Sequence, residues 1–318
     1  MVRLNAGLVI PRGPQGSAGQ LAAIQLAASR GVEQVWSTVG GPAPDPVTTL
    51  AAAAATTERI RLGTSVVPIY PIHPITLAAQ ALALEGLAPG RIRLGIGTSH
   101  KPSVEGMYGL QMNRPLAYLR EYLTVLRALL WQGDVNHTGE FFTVKASLAP
   151  GATLPRTPIL ISALRENAFR LAGELSDGAI TWVTPVEYIL NTAIPALERG
   201  AERARRKERP PVVAHIPVAI SRDRDAARNA FRAQFPIYSK LPFYQAMFKD
   251  AGYPVTAKQE MTDELVDALC VSGNPATVTY RLQQLREAGL DELIVSHVVV
   301  QDEAEELAQL SEILADLP

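Results

Sequence analysis

The chain has 318 residues, 47% of them hydrophobic and 19% charged, a composition that supports one large buried core and excludes a disordered polymer. Thirty basic residues against thirty-one acidic ones leave a formal charge of −1, so no overall field draws the protein to nucleic acid or to an anionic membrane. A single cysteine, Cys270, excludes an internal disulfide framework and any site built from several cysteines, and it reads as an unreactive buried thiol.

Residues 1–10 carry one basic side chain and run into Pro11, Arg12 and Gly13, a pattern that fits neither a signal peptide nor a membrane span. A cytoplasmic location is therefore expected. Residues 4–10 read as a first strand and 20–29 as its helix, closed by Gly31. Residues 32–37 form the second strand, and the alanine-rich run 51–55 one short helix. The third unit pairs a strand at 60–67 with a helix at 75–87, and the fourth strand is 91–96.

An interruption follows. Residues 97–113 read as a polar loop, after which Leu116, Leu119, Leu123, Leu126 and Leu130 stripe a long helix ending near Trp131. Residues 133–144 suggest a small hairpin. Pro155 and Pro158 introduce a fifth strand at 159–162, and Ala168, Leu171, Ala172 and Leu175 mark its helix. The sixth strand is 179–183. Arg203, Arg205, Arg206, Lys207 and Arg209 interleave with Glu202 and Glu208 as a solvated helix terminus. The seventh strand is 212–220, and residues 239–260 read as a long loop or lid. Asn274 and Pro275 start a capped helix ahead of the eighth strand, 293–297.

Short β-branched runs alternating with Ala/Leu-rich helical runs imply parallel strands joined by crossover helices. About eight such units imply a (β/α)8 TIM barrel spanning residues 1–318 as one domain, with insertions after strands 4 and 7. Reactive groups of such a barrel belong at the carboxyl ends of its strands, so the segments around Ser37, Val66, Ile96, Ser162 and Trp182 are where to look.

Three of these segments carry unusual residues. Thr64, Ser65, Val66 and Val67 precede a proline-punctuated loop holding Tyr70 and His73; a rigid turn, with His73 capping the next helix, is the plain alternative. Gly95 and Gly97 let the backbone approach a flat ligand ahead of Thr98, Ser99 and His100. A dinucleotide fingerprint is rejected there, since no helix begins directly after it and the third glycine is missing. His100 suits proton donation because histidine titrates near neutral pH, against the alternative of a loop histidine held by hydrogen bonds. Ser162, Ala163, Leu164 and Arg165 join a strand to a helix and aim backbone amides at the barrel mouth, where they would bind phosphate; Ser162 as a plain helix cap is the other reading.

Taken in this order and spacing, these segments resemble the luciferase-like superfamily, and within it the branch that uses the deazaflavin F420. The resemblance covers almost the whole chain and is most distinctive over residues 62–74, 94–109, 120–123 and 171–178. It implies a non-prolyl cis peptide at Ser65-Val66 under the cofactor ring, with Thr64, Ser65, Val66 and Val67 lining it. It also implies that Thr98, Ser99 and His100 lie near the reacting face, and that the loop from Ser162 holds the cofactor phosphate. Relatives carry a glycine where this chain has Arg165. Trp36, Ser37 and Thr38 lack the acidic-histidine pair of the family's sugar-phosphate dehydrogenases, so a sugar-phosphate substrate is not expected.

The resemblance implies hydride transfer between reduced F420 and an activated C=C or C=N bond of a small molecule. His100 would be the proton donor, with Tyr70 or Tyr108 as second choice, and the protein would be a homodimer. Three rivals remain: an FMN-dependent monooxygenase of the same fold, a non-catalytic flavin-binding protein, and a metal-dependent barrel hydrolase. The last needs clustered ligands, and His73, His100, His137, His215 and His297 show no such spacing.

Overall fold

A computed structural model describes residues 5–11, 16–39, 41, 43–149 and 152–317. Its strands are β1 (Asn5–Ile10), β2 (Gln34–Ser37), β3 (Arg61–Thr64), β4 (Val67–Pro68), β5 (Ile92–Gly97), β6 (Asp134–Thr138), β7 (Thr143–Ser147), β8 (Ile159–Ser162), β9 (Gly178–Ile180), β10 (Val212–Ile220), β11 (Val271–Gly273) and β12 (Glu292–His297). Parallel ladders run β12-β1-β2-β3-β5-β8-β9, and β9 and β12 both pair with β10, which closes a barrel of eight strands. The short β4 continues the third strand along β5, β11 extends the sheet beside β10, and β6 and β7 form a separate antiparallel hairpin.

Most strand positions follow the expected runs, and the departures have local causes. Leu4, expected to open the first strand, lies outside the described residues. The third strand breaks at a cis Ser65-Val66 bond into β3 and β4. The sixth ends at Ile180 rather than Val183, because Val183 turns into the left-handed region at φ 48°, an outlier for a β-branched residue. A helix at Lys101–Gly106 interrupts the expected loop after β5.

Residues 239–260, expected to be irregular, hold the helix Pro242–Asp250. Pro242 sits in its first turn, and Tyr244, Met247 and Phe248 supply the buried i, i+3, i+4 stripe. The basic cluster is less solvated than expected: Arg206 donates to the carbonyls of Gly173 (3.0 Å) and Ser176 (2.6 Å), closing the neighbouring helix Glu166–Leu175. Among the described residues, no helix is long and apolar enough to cross a membrane.

Inside the barrel, Val9, Trp36, Leu160, Ile180, Val213 and Ile294 form one apolar layer. Trp36 dominates it and fits because Gly7 and Gly63 lack side chains. A Cβ on Gly63 would lie 2.4 Å from a ring carbon of Trp36, and one on Gly7 2.7 Å from the indole nitrogen. Toward the amino ends of the strands the interior is plugged by polar groups. Arg93 pairs with Glu292, Gln34 Nε2 donates to Glu292 Oε1 at 2.8 Å, and the Arg93 guanidinium stands 5.1 Å from the Trp36 ring centre. That end serves stability, which leaves the opposite mouth for chemistry.

Candidate active site

One turn above the apolar layer, β10 presents His215 and β12 presents Ser296 to the barrel interior. The backbone N–H of Val183 donates to His215 Nδ1 at 3.1 Å, so the ring proton sits on Nε2, which donates to Ser296 Oγ at 2.8 Å. Complete burial drives the His215 pKa down to about 3, and the ring is neutral. Trp182 lies flat on it, with centroids 3.6 Å apart and planes within 8°. The Trp182 indole N–H then donates to the Tyr238 hydroxyl oxygen at 2.8 Å.

This stack forms one side of a cleft of about 250 Å³ at the carboxyl ends of the strands. Ser65, Val66, Ser162 and Ile180 contribute from strand ends, and Ser99, His100, Met107 and Tyr108 from the segment after β5. Gly97 lets Val66 and Ser162 pack close against the β5 backbone: a Cβ there would meet Ser162 Oγ at 2.2 Å and Val66 Cγ2 at 2.7 Å. Ser65 Oγ is buried without a hydrogen-bond partner. An orphaned hydroxyl lining the cleft fits a ligand with a polar edge.

His100 precedes the helix Lys101–Gly106 and makes no side-chain cap bond. Its ring meets the edges of Tyr238 (6.2 Å, 81°) and Tyr244 (5.8 Å, 66°), and burial lowers its pKa below the usual 6.5. Ser99, left-handed at φ 59°, turns the chain just ahead of it.

The expected site residues divide. His100, Tyr108, Ser65, Val66, Ser99, Ser162 and Trp182 line the cleft. Tyr70 stands elsewhere, stacked on Tyr118 at 4.4 Å, with burial pushing its phenol up to about 12. Thr64 is occupied structurally, since its Oγ1 accepts from the Gly95 N–H (2.9 Å) and donates to the Gly95 carbonyl (2.8 Å). Ser37, Val67 and Ala163 are buried beside the cleft without lining it, and Gly97, Thr98 and Leu164 do not line it either. Arg165 is held by Asp250 at 2.8 Å. Ser162 does not cap the following helix, whose N-cap is Arg165. His73 does cap its helix, with Nδ1 accepting from the Ile75 N–H at 3.3 Å.

Sequence reasoning missed Tyr244, which lies in the segment 239–260 read as a loop or lid, and Tyr238, which immediately precedes it. Its unusual aromatic content was the available signal. Among the described residues, no three His, Cys, Asp or Glu side chains come together in a way that would hold a metal ion.

A (β/α)8 barrel with a polar-edged, aromatic-walled cleft at its carboxyl end defines a class of cofactor-using enzymes. The family model described as luciferase-like monooxygenase matches residues 8–292, and the chain belongs to that family of oxidoreductases.

Among curated proteins it is 26% identical over 303 residues to 5,10-methylenetetrahydromethanopterin reductase of Archaeoglobus fulgidus, covering 88% of this chain and 89% of that one. It is 28% identical over 290 residues to F420-dependent glucose-6-phosphate dehydrogenase of Intrasporangium calvum, covering 87% and 85%. Among solved structures it shares the fold of an F420-dependent secondary alcohol dehydrogenase in complex with an F420-acetone adduct, with a TM-score of 0.81, 18% identity and 98% of both chains covered. The FMN complex of the oxygenating constituent of 3,6-diketocamphane monooxygenase from Pseudomonas putida shares it too, at a TM-score of 0.73 and 20% identity, with 99% and 98% of the two chains covered.

Proposed function

We propose that the chain is an F420-dependent oxidoreductase that moves a hydride between reduced F420 and an activated C=C or C=N bond of a small organic substrate. F420-dependent relatives that cover most of both chains support the choice of cofactor. The observation that carries the reading is the cleft itself, at the carboxyl ends of the strands, where Val66, Ser162 and Trp182 line the opening and Ser65 Oγ is buried without a partner.

Val66 and Trp182 would hold a flat ring system, while Ser65, Ser99 and Ser162 offer hydroxyls to its polar edges. When bound, reduced F420 supplies a hydride to an electrophilic carbon. His100 carries the matching proton to the adjacent carbon or nitrogen of the substrate, so the substrate gains two electrons and two hydrogens. Burial holds the imidazole neutral at rest, so it takes up a proton before each reductive turnover. In the opposite direction the neutral ring is ready to accept one. Tyr108, exposed at the edge of the cleft, is the second candidate for this role.

Titrating purified apo-protein with F420 and with FMN tests the reading, followed by fluorescence quenching. Binding of F420 with FMN at least ~10-fold weaker supports it. Preference for FMN moves the protein to oxygen chemistry, and binding of neither overturns the proposal.

A further inference from the structure

We propose that the substrate part of the cleft selects an uncharged molecule with a flat apolar body, gripped by Tyr238 and Tyr244. The inference rests on the cleft being the F420 site and goes on to name its substrate class. Among the described residues that line the cleft, none is Asp, Glu, Lys or Arg. Lys101 pairs with Glu105 at 3.7 Å and Arg165 with Asp250 at 2.8 Å, while Lys240, two residues after Tyr238, is exposed and lines a separate cavity together with Glu260. A phosphate or carboxylate entering the resting cleft would lose its hydration without gaining a counterion, because burial keeps His100 neutral there.

What the cleft offers instead is aromatic surface. Tyr238 and Tyr244 meet edge to face at 4.8 Å, and both contact the ring of His100. Tyr238 is tied to Trp182 by the indole hydrogen bond, and Tyr244 is 4% exposed and anchored against Phe248. These rings are fixed before any ligand arrives, so flat apolar molecules bind without a large ordering penalty. The apolar character continues outward. Met107 and Tyr108 line the cleft yet are 41% and 37% exposed, and Ile237 and Phe243, next in sequence to the two gripping tyrosines or to their helix, are 46% and 66% exposed. Such an apolar approach favours ligands that leave water readily.

The test is calorimetric titration of the F420-loaded protein with naphthol and with naphthoate, flat probes that differ in charge. Naphthol should bind at least ~10-fold tighter than naphthoate. Met107→Lys, at a partly exposed position, should narrow or reverse that preference by supplying a cation. Tyr238→Ala should weaken naphthol, while Tyr238→Phe, which keeps the ring, should retain most of its affinity. Naphthoate binding as well as naphthol to the unmodified protein, or failure of both probes to bind the loaded protein, overturns the inference. Failure of F420 itself to bind overturns the parent reading instead, so the two outcomes are distinct.

Discussion

Trp182 and His215 lie face to face at 3.6 Å with their planes 8° apart, so a wall of the active-site cleft rests on a buried neutral imidazole. His215→Phe keeps an aromatic ring there but removes the acceptor for the Val183 N–H. At pH 7 the variant should be less stable by about 1–3 kcal/mol, the usual effect of stranding a buried donor.

Acid should change that difference. His215 has a folded pKa of about 3, below its ordinary 6.5, so between those values the unfolded chain binds a proton that the folded one does not. The wild-type protein therefore loses stability from this group as pH falls from about 6.5, by at most about 1.4 kcal/mol per pH unit. The Phe variant lacks this loss, and the gap between the two proteins should shrink toward pH 4. Urea unfolding across that range is the check, and a gap independent of pH would count against a buried neutral His215.

His100 makes a kinetic prediction. Its folded pKa is lowered by burial, so the donor form appears only as pH falls below 6.5. For reduction, kcat/KM should decline as pH rises through that lowered pKa. His100→Ala should lower the rate by about 10²–10⁴-fold, the usual contribution of a positioned acid, and should abolish this limb of the profile. An unchanged profile in the variant would reassign the proton, with Tyr108 tested next.

Gly63→Ala places a Cβ 2.4 Å from the Trp36 ring in a closed barrel. Neither backbone nor indole has room to yield, so a loss of about 1–3 kcal/mol is expected by thermal unfolding. Gly63→Ala combined with Trp36→Phe should recover part of it. If the single variant is as stable as the parent, the barrel interior is looser than described.

Glu292→Ala leaves the Arg93 guanidinium, 13% exposed, without its carboxylate and should lower stability by about 3–5 kcal/mol. Replacing both partners by Met and Leu should restore much of that loss, since an apolar plug needs no counterion. A double variant no better than the single would show that the charges themselves are required.

Much of the barrel was readable because its strands are β-branched runs. Ile159–Ser162 and Val212–Ile220 have the boundaries that composition suggests. Val183 was not readable, since its left-handed turn is matched by an acceptor on His215, 32 residues away. Arg165 was placed among the phosphate contacts from its position after a strand, but its partner Asp250 sits on a helix that the sequence pattern concealed. The same concealment hid Tyr244. Tyr70 follows the third strand, as a site residue should, yet the chain carries its ring away to Tyr118. Strand ends locate a barrel site, and long-range packing decides which side chains reach it.

β12 supplies both Glu292, which locks the plug with Gln34 across 258 residues, and Ser296, which holds His215. During synthesis on the ribosome, a chain that has emerged only through β10 already carries Trp182, Val183 and His215, but it lacks Tyr238, which accepts the indole hydrogen bond, and Ser296, which holds the imidazole. The cleft thus matures last, and cofactor capture by nascent chains should wait for the eighth strand to seat.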